Sequence, residues 1–279
     1  MSLSLHQHAV GIVAKLMRER TGQVIGSDRR WRIDGAIEMV LRKRGAGSGG
    51  DILALLTQPD STRVEQELVE ALLNNETYFF RDRQVFSYLA RNVLPGLCQA
   101  RAGCRTLRIW SAGCSTGQEP LSIAMMLIDE GLTASTGWSV ELVATDVSQA
   151  AIDFAKKGLY SRFEIQRGLG VAQMLRHFTE TEDGWQASHT LLNTIRYHRA
   201  NLLDEAPTKP FDLILCRNLM LYLGDDSRRT ACERLRAAIA LEGRLLLGGG
   251  EASLDRTSGF VLSAQDAAIY RVTARALAA

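Results

Sequence analysis

From residue 106 onward the chain alternates short apolar runs with amphipathic stretches, and this alternation limits the fold more than any other feature. The apolar runs are 106–110 (TLRIW), 140–144 (VELVA), 211–216 (FDLILC) and 244–247 (RLLL). Helical spacing falls near 120–130, 148–157 and 226–240. Strands joined through helices pair in parallel, and helices then cover the faces of the sheet. A sheet of this kind receives ligands outside the carboxyl ends of its strands. The alternation breaks at 178–200, where residues 185–188 and 191–199 read as short strands joined by polar turns, a small antiparallel flap. The tail, 260–262 and 268–272, reads as two more strands forming an antiparallel hairpin on the sheet edge.

The first ninety residues carry a helical period instead. Val10, Val13, Leu16 and Met17 share one face, and Gly22 is the expected stop. Ser27 reads as the N-cap of a second helix whose apolar face is Ile33, Ile37, Val40 and Leu41. At about 100° per residue, Arg29, Arg32 and Lys43 fall together beside that face. Residues 45–50 (GAGSGG) form a flexible connector, and Val64, Leu68 and Leu72 mark a third helix. A further helix spans about 83–93, and Pro95-Gly96 opens a small polar passage to residue 105. The expected organisation is an all-α N-terminal domain (1–90), a linker (91–105) and an α/β domain (106–279) carrying the flap at 178–200.

Charge is also uneven along the chain. Residues 1–50 hold nine basic side chains against four acidic ones, an excess of +5, whereas the whole chain carries only +2. So small a net charge does not point to nucleic acid. The stripe of Arg29, Arg32 and Lys43 is either a solvated helix surface or a docking stripe for an acidic partner. No apolar run approaches the ~18 residues of a membrane span. The N-terminus has no early positive charge and no cleavage site, so it does not read as a signal peptide. Five cysteines without a C-x-x-C pair read as free thiols in a reducing cytoplasm, and neither they nor the five histidines have metal-ligand spacing.

Three strand ends carry polar residues that a buried strand does not need. The first is the loop 111–120 (SAGCSTGQEP). Gly113 and Gly117 let its backbone approach a ligand closely, but no Gly-Lys-Ser/Thr follows to cradle phosphate. It offers space beside a carboxylate, Glu119, which suits a cationic or hydroxyl-rich ligand. The second is Asp146, either an acceptor for both hydroxyls of a ribose or the N-cap of the next helix. The third is Arg217-Asn218, costly at such a place unless paired. Apart from these, residues 75–81 set polar side chains around an aromatic triplet, a combination unusual for a loop between helices.

These motifs together resemble the CheR-type chemoreceptor glutamate O-methyltransferases, which use S-adenosylmethionine. The resemblance rests on Asn75 to Arg81 (NETYFFR), the loop 111–120, Thr145 to Ser148 (TDVS), Asn201-Leu202-Leu203, and Cys216 to Tyr222 (CRNLMLY), in that order across most of the chain. It implies a Rossmann-like methyltransferase sheet with a small antiparallel β-subdomain behind the all-α domain. It implies that Asn75, Thr77 and Arg81 surround the methionine end of the cofactor. Gly113 and Glu119 would lie near its amino group, Asp146 at the ribose and Asn201-Leu202 at the adenine. Arg217 and Asn218 would line the crevice. Arg81 and Tyr222 are the expected catalytic residues nearest the methyl, with no metal involved. The implied partner is the helical methylation region of a receptor, met by Arg29, Arg32, Lys43 and the β-subdomain, with no nucleic acid and no membrane insertion. Only Thr-Glu-Thr-Glu-Asp-Gly separates Phe178 from Trp185, a shorter and more acidic loop than in relatives that bind a receptor-tail peptide. Independence of that peptide is therefore expected. Two other readings stay open: a small-molecule carboxylate methyltransferase, and a regulator that binds the cofactor without turnover.

Overall fold

The computed structural model of the protein describes residues 3–46, 51–204, 206–251, 258–264 and 268–272. These divide into two compact units, residues 1–74 with 222–228, and residues 75–221 with 229–279.

The first unit is helical, with α1 (Leu3–Thr21), α2 (Trp31–Lys43), α3 (Asp51–Leu55) and α4 (Ser61–Leu72). The faces read from the sequence are buried: Val10, Val13 and Met17 pack with Ile33, Ile37, Val40 and Leu41 and with Val64, Leu68 and Leu72. Gly22 ends α1 at φ +73°, a conformation open to glycine at little cost. Ser27 is not a side-chain cap. Residues Ser27–Arg29 form a 3-10 turn and α2 starts only at Trp31, because the carbonyl of Ser27 takes the N–H of Arg30. Part of the connector, 47–50, lies outside the described residues. A short return segment completes the unit: Val24 N donates to Tyr222 O and Gly224 N to Gly22 O.

The second unit holds α5 (Arg83–Tyr88), α6 (Leu94–Ala100), β1 (Thr106–Ala112), α7 (Gln118–Asp129), β2 (Ser139–Asp146) and α8 (Gln149–Lys157). Then come β3 (Leu159–Tyr160), α9 (Arg162–Gln166), α10 (Val171–His177), β4 (Phe178–Thr181), β5 (Gly184–Ala187), α11 (His189–Thr194), β6 (Ile195–Arg199) and β7 (Phe211–Cys216). The unit closes with α12 (Asp225–Ala238), whose first turn counts with the first unit, β8 (Ile239–Leu247), β9 (Phe260–Ala264) and β10 (Ile269–Val272). The passage 91–105, expected as a linker, is helical as far as Ala100, and Val93, Leu94 and Leu97 are buried in the core. A π turn, Leu89–Val93, joins α5 to α6. Pro95 has no N–H and its ring crowds the preceding turn, so the backbone widens there.

One seven-stranded sheet runs β6-β2-β1-β7-β8-β10-β9. The five strands from β6 to β8 are parallel, and β10 pairs antiparallel with both β8 and β9. The tail hairpin thus lies on the sheet edge, as its two short apolar runs imply. All six residues of β7 are buried, as a strand covered on both faces requires. Asp212 is tolerated there because Arg101 Nε (2.7 Å) and the N–H of Arg108 (2.8 Å) satisfy it. The flap differs from expectation. Its sheet is β3-β5-β4, whereas β6 is the outer strand of the main sheet, paired parallel with β2 from Leu142↔Ile195 to Asp146↔Arg199. Ile195 and Tyr197 alternate with exposed residues, as suits an edge strand with one buried face.

Candidate functional site

The strand order reverses at β1, which has β2 on one side and β7 on the other. The crevice of a doubly wound sheet opens at such a reversal, above the carboxyl ends of the strands. The loop after β1, Asp146 at the end of β2 and Arg217 after β7 all stand on that rim.

The loop is held open by backbone geometry. Gly113 (φ +79°) and Cys114 both donate to the carbonyl of Thr145, which ties the loop to the end of β2. Gly117 (φ +94°) begins α7, and a Cβ there would stand 2.8 Å from Ala155 Cβ and 3.0 Å from Tyr160 Oη. Tyr160 Oη in turn donates to the Thr116 carbonyl (2.8 Å), while the buried Tyr197 hydroxyl beside it has no hydrogen-bond partner among the described residues. Pro120 in the first turn forfeits only an N–H that has no intrahelical acceptor. Burial, then the charges of Asp146 and Glu119, push the Cys114 thiol well above its ordinary range. It is an inert thiol.

Asp146 is not the cap of α8; Ser148 is, its hydroxyl accepting from Ala151 N (3.0 Å). The carboxylate instead accepts Ser115 N (2.8 Å) and Ser148 N (2.9 Å), so its orientation is fixed by two backbone amides. Ala200 N donates to Asp146 O (2.9 Å), which brings Asn201 and the buried Leu202 to the same rim. Asn201 Oδ1 accepts Leu203 N (3.1 Å), so this side chain shapes its own turn.

Segment 75–82 is built into the sheet unit, not into the helical one. Ser115 Oγ donates to Asn75 O (2.8 Å), Phe80 N donates to Ser122 Oγ (2.9 Å), and Arg217 Nη2 donates to Arg81 O (2.9 Å). Phe79 is fully buried, edge-on to Tyr160 (5.1 Å) and Phe178 (5.5 Å). The flap approaches so closely at Gly168 that a Cβ there would lie 1.9 Å from Phe79 O. Arg167 adds an ion pair with Glu76 (2.7 Å) and lies over the Tyr78 ring; that contact holds the Glu76 carboxyl below its usual range.

The two arginines of the site are in opposite states. Arg81 is held only by a 3.3 Å bond to Glu76 O and by the Tyr78 ring, 5.5 Å away, with no carboxylate in ion-pair range among the described residues. Arg217 has a side chain only 2% exposed and pairs with both Glu119 (3.2 Å) and Asp82. Its guanidinium is thus committed to two carboxylates. Glu119 takes a second bond from Ser111 Oγ (2.7 Å). Thr77 is half-buried nearby in the chain. Asn218 sits at φ +59°, and Tyr222 counts with the first unit, where its hydroxyl accepts from Asn74 Nδ2 (2.7 Å).

Sequence reasoning missed Asp82, Ser122, Tyr160 and Glu251. Glu251 accepts Met220 N (2.7 Å) and Gly248 N, and so holds the turn after β7. Burial pushes its carboxyl up while those backbone N–H groups pull it back. The run of glycines before an acid at 248–251 repeats the pattern at the β1 loop and was a usable signal. Asp82 gave a misleading one, since an acid just before a helix reads as a cap.

A sheet of this order, with two carboxylates on its rim and a glycine loop lacking phosphate ligands, defines a Rossmann-like methyltransferase domain. Residues 75–269 match the family described as "CheR methyltransferase, SAM binding domain", and the chain belongs to that family. It is 33% identical over 244 residues to Chemotaxis protein methyltransferase 1 of Pseudomonas aeruginosa, covering 85% of this chain and 88% of that one. It is 27% identical over 256 residues to the Chemotaxis protein methyltransferase of Borreliella burgdorferi, covering 90% of each. A shorter match, 38% over 192 residues, links it to the Probable biofilm formation methyltransferase WspC of Pseudomonas aeruginosa, covering 68% of this chain and 44% of that one.

Proposed function

We propose that this protein is a glutamate O-methyltransferase acting in the cytoplasm on the helical methylation region of a chemoreceptor-like signalling protein, giving glutamyl methyl esters. The observation that carries this is the state of Arg81: a guanidinium with no carboxylate in ion-pair range among the described residues, on a segment tied by hydrogen bonds to the loop after β1 and to Arg217.

The rim suits S-adenosylmethionine. Glu119 would hold the ammonium, Asp146 the ribose hydroxyls and Asn201-Leu202 the adenine, with Gly113 leaving room beside them. Asn75 and Thr77 border the methionine end. When bound, the cofactor supplies a methyl group already activated by its positive sulfur. A glutamate with a pKa near ~4.3 is already an anion at neutral pH, so no general base is required. Arg81 orients that carboxylate by two-point hydrogen bonding. Asn218 and Phe80 both sit at positive φ, which fixes tight turns in their segments. Catalysis then consists of alignment and exclusion of water.

Two features support the choice of substrate. β4 and β5 are joined by Glu182 and Asp183 alone, a hairpin with no room for a peptide-binding loop. The basic residues of α2 and of the turn before it are then the receptor contact, with Arg29 the most available: its ion pair with Asp28 is long at 3.5 Å, whereas Arg32 is committed to Leu72 O and Lys43 to Glu67.

The test is methyl transfer from labelled cofactor onto a panel of receptor cytoplasmic domains, scored as label released by mild base. Base-labile label on at least one receptor is the expected result. Label confined to small carboxylic acids, or none with the cofactor bound, rejects the assignment.

A further inference from the structure

Asp82 looks like an ordinary helix cap, but it does not act as one. It precedes α5 in the left-handed conformation (φ +60°, ψ +65°), and its side chain makes no capping bond. The carboxylate turns instead to Arg217, whose guanidinium also reaches Glu119 Oε2 at 3.2 Å and the carbonyl of Arg81 at 2.9 Å. Two carboxylates thus compete for one buried cation. The contact to Glu119 is long for a charge-assisted bond.

We propose that Asp82 is a positioning residue that draws Arg217 away from Glu119 and so leaves the Glu119 carboxylate available for the ammonium of the cofactor's amino-acid end. This rests on reading Glu119 as the ammonium acceptor. With Asp82 present, the group of Asp82, Arg217 and Glu119 carries a net charge of −1, which one ammonium neutralises. Without it, Arg217 and Glu119 neutralise each other before any ligand arrives. The same guanidinium holds the Arg81 carbonyl, so a shift toward Glu119 also loosens the segment bearing Arg81. Because the Arg217 side chain is only 2% exposed, water cannot replace a lost partner.

The test compares two ligands, S-adenosylhomocysteine, which has the ammonium, and 5′-methylthioadenosine, which lacks it. Calorimetry measures both against the unmodified protein, Asp82→Asn, Asp82→Glu and Glu119→Gln. Asp82→Asn should weaken S-adenosylhomocysteine about tenfold while leaving 5′-methylthioadenosine within about twofold, and Asp82→Glu should restore most of the loss. Equal weakening of both ligands by Asp82→Asn would mean general loosening of the site and would overturn the proposal, as would no change in either. Glu119→Gln separates the two layers. If it fails to weaken S-adenosylhomocysteine selectively, the ammonium reading of Glu119 is wrong and the proposal falls with it. If it succeeds while Asp82→Asn does not, only the role of Asp82 is wrong.

Discussion

Within the heptapeptide Asn75 to Arg81, neighbouring residues do different physical work. Phe79 has no exposed surface and packs edge-on against Tyr160 and Phe178. Arg81, two residues on, is half-buried and lightly held. The two substitutions should therefore separate stability from activity. Phe79→Ala is expected to cost about 3–5 kcal/mol in urea unfolding. Arg81→Ala is expected to leave the unfolding midpoint within error and to lower methyl transfer by at least about 100-fold, the scale of a lost positioning contact. Turnover near the unmodified rate in Arg81→Ala would show that the incoming carboxylate is oriented by something else. The sequence announced the motif but not this division, because burial of Phe79 depends on flap residues more than eighty positions away.

At the level of elements, the flap is fastened to the sheet unit by a few close contacts, and one of them titrates. His177 ends α10 with its side chain buried, 3.9 Å from Asp129, which also pairs with Arg176. Burial lowers its pKa, opposed in part by Asp129. The unfolded chain takes up that proton near ~6.5, and the folded protein resists it to lower pH. A lowered folded pKa gives stability that is complete above the unfolded value and is lost as pH falls from there through the folded value. The urea midpoint of the sheet unit should accordingly fall as pH drops from about 7.5 to 5, and His177→Gln should remove that part of the decline. A midpoint equally pH-dependent in both proteins would assign the effect to other groups. The strands themselves were largely readable: β1, β2, β7 and β8 each begin within a few residues of an apolar run. β6 was not, since a half-buried edge strand and a flap strand show the same alternation.

For the whole molecule, periodicity divides the chain near residue 90, whereas the excess of basic charge lies in a smaller head, residues 1–50. If the head meets an acidic receptor, Arg29→Glu should raise KM for a receptor fragment several-fold and flatten its salt dependence, leaving S-adenosylhomocysteine affinity unchanged. Arg32 is a poor probe, because its bond to Leu72 O mixes docking with folding. An unchanged KM for Arg29→Glu would remove the turn before α2 from the receptor contact. What the sequence determined by itself was whatever local pattern encodes: a parallel sheet, a glycine loop without phosphate ligands, and acids and an arginine at the strand ends. The tertiary structure alone decided which arginine is neutralised and which is open. Arg217 finds Asp82 across 135 residues of chain and Glu119 across 98, whereas Arg81 finds no carboxylate in ion-pair range among the described residues. Such pairing is set by where the fold brings strand ends together, and no periodicity along the chain records it.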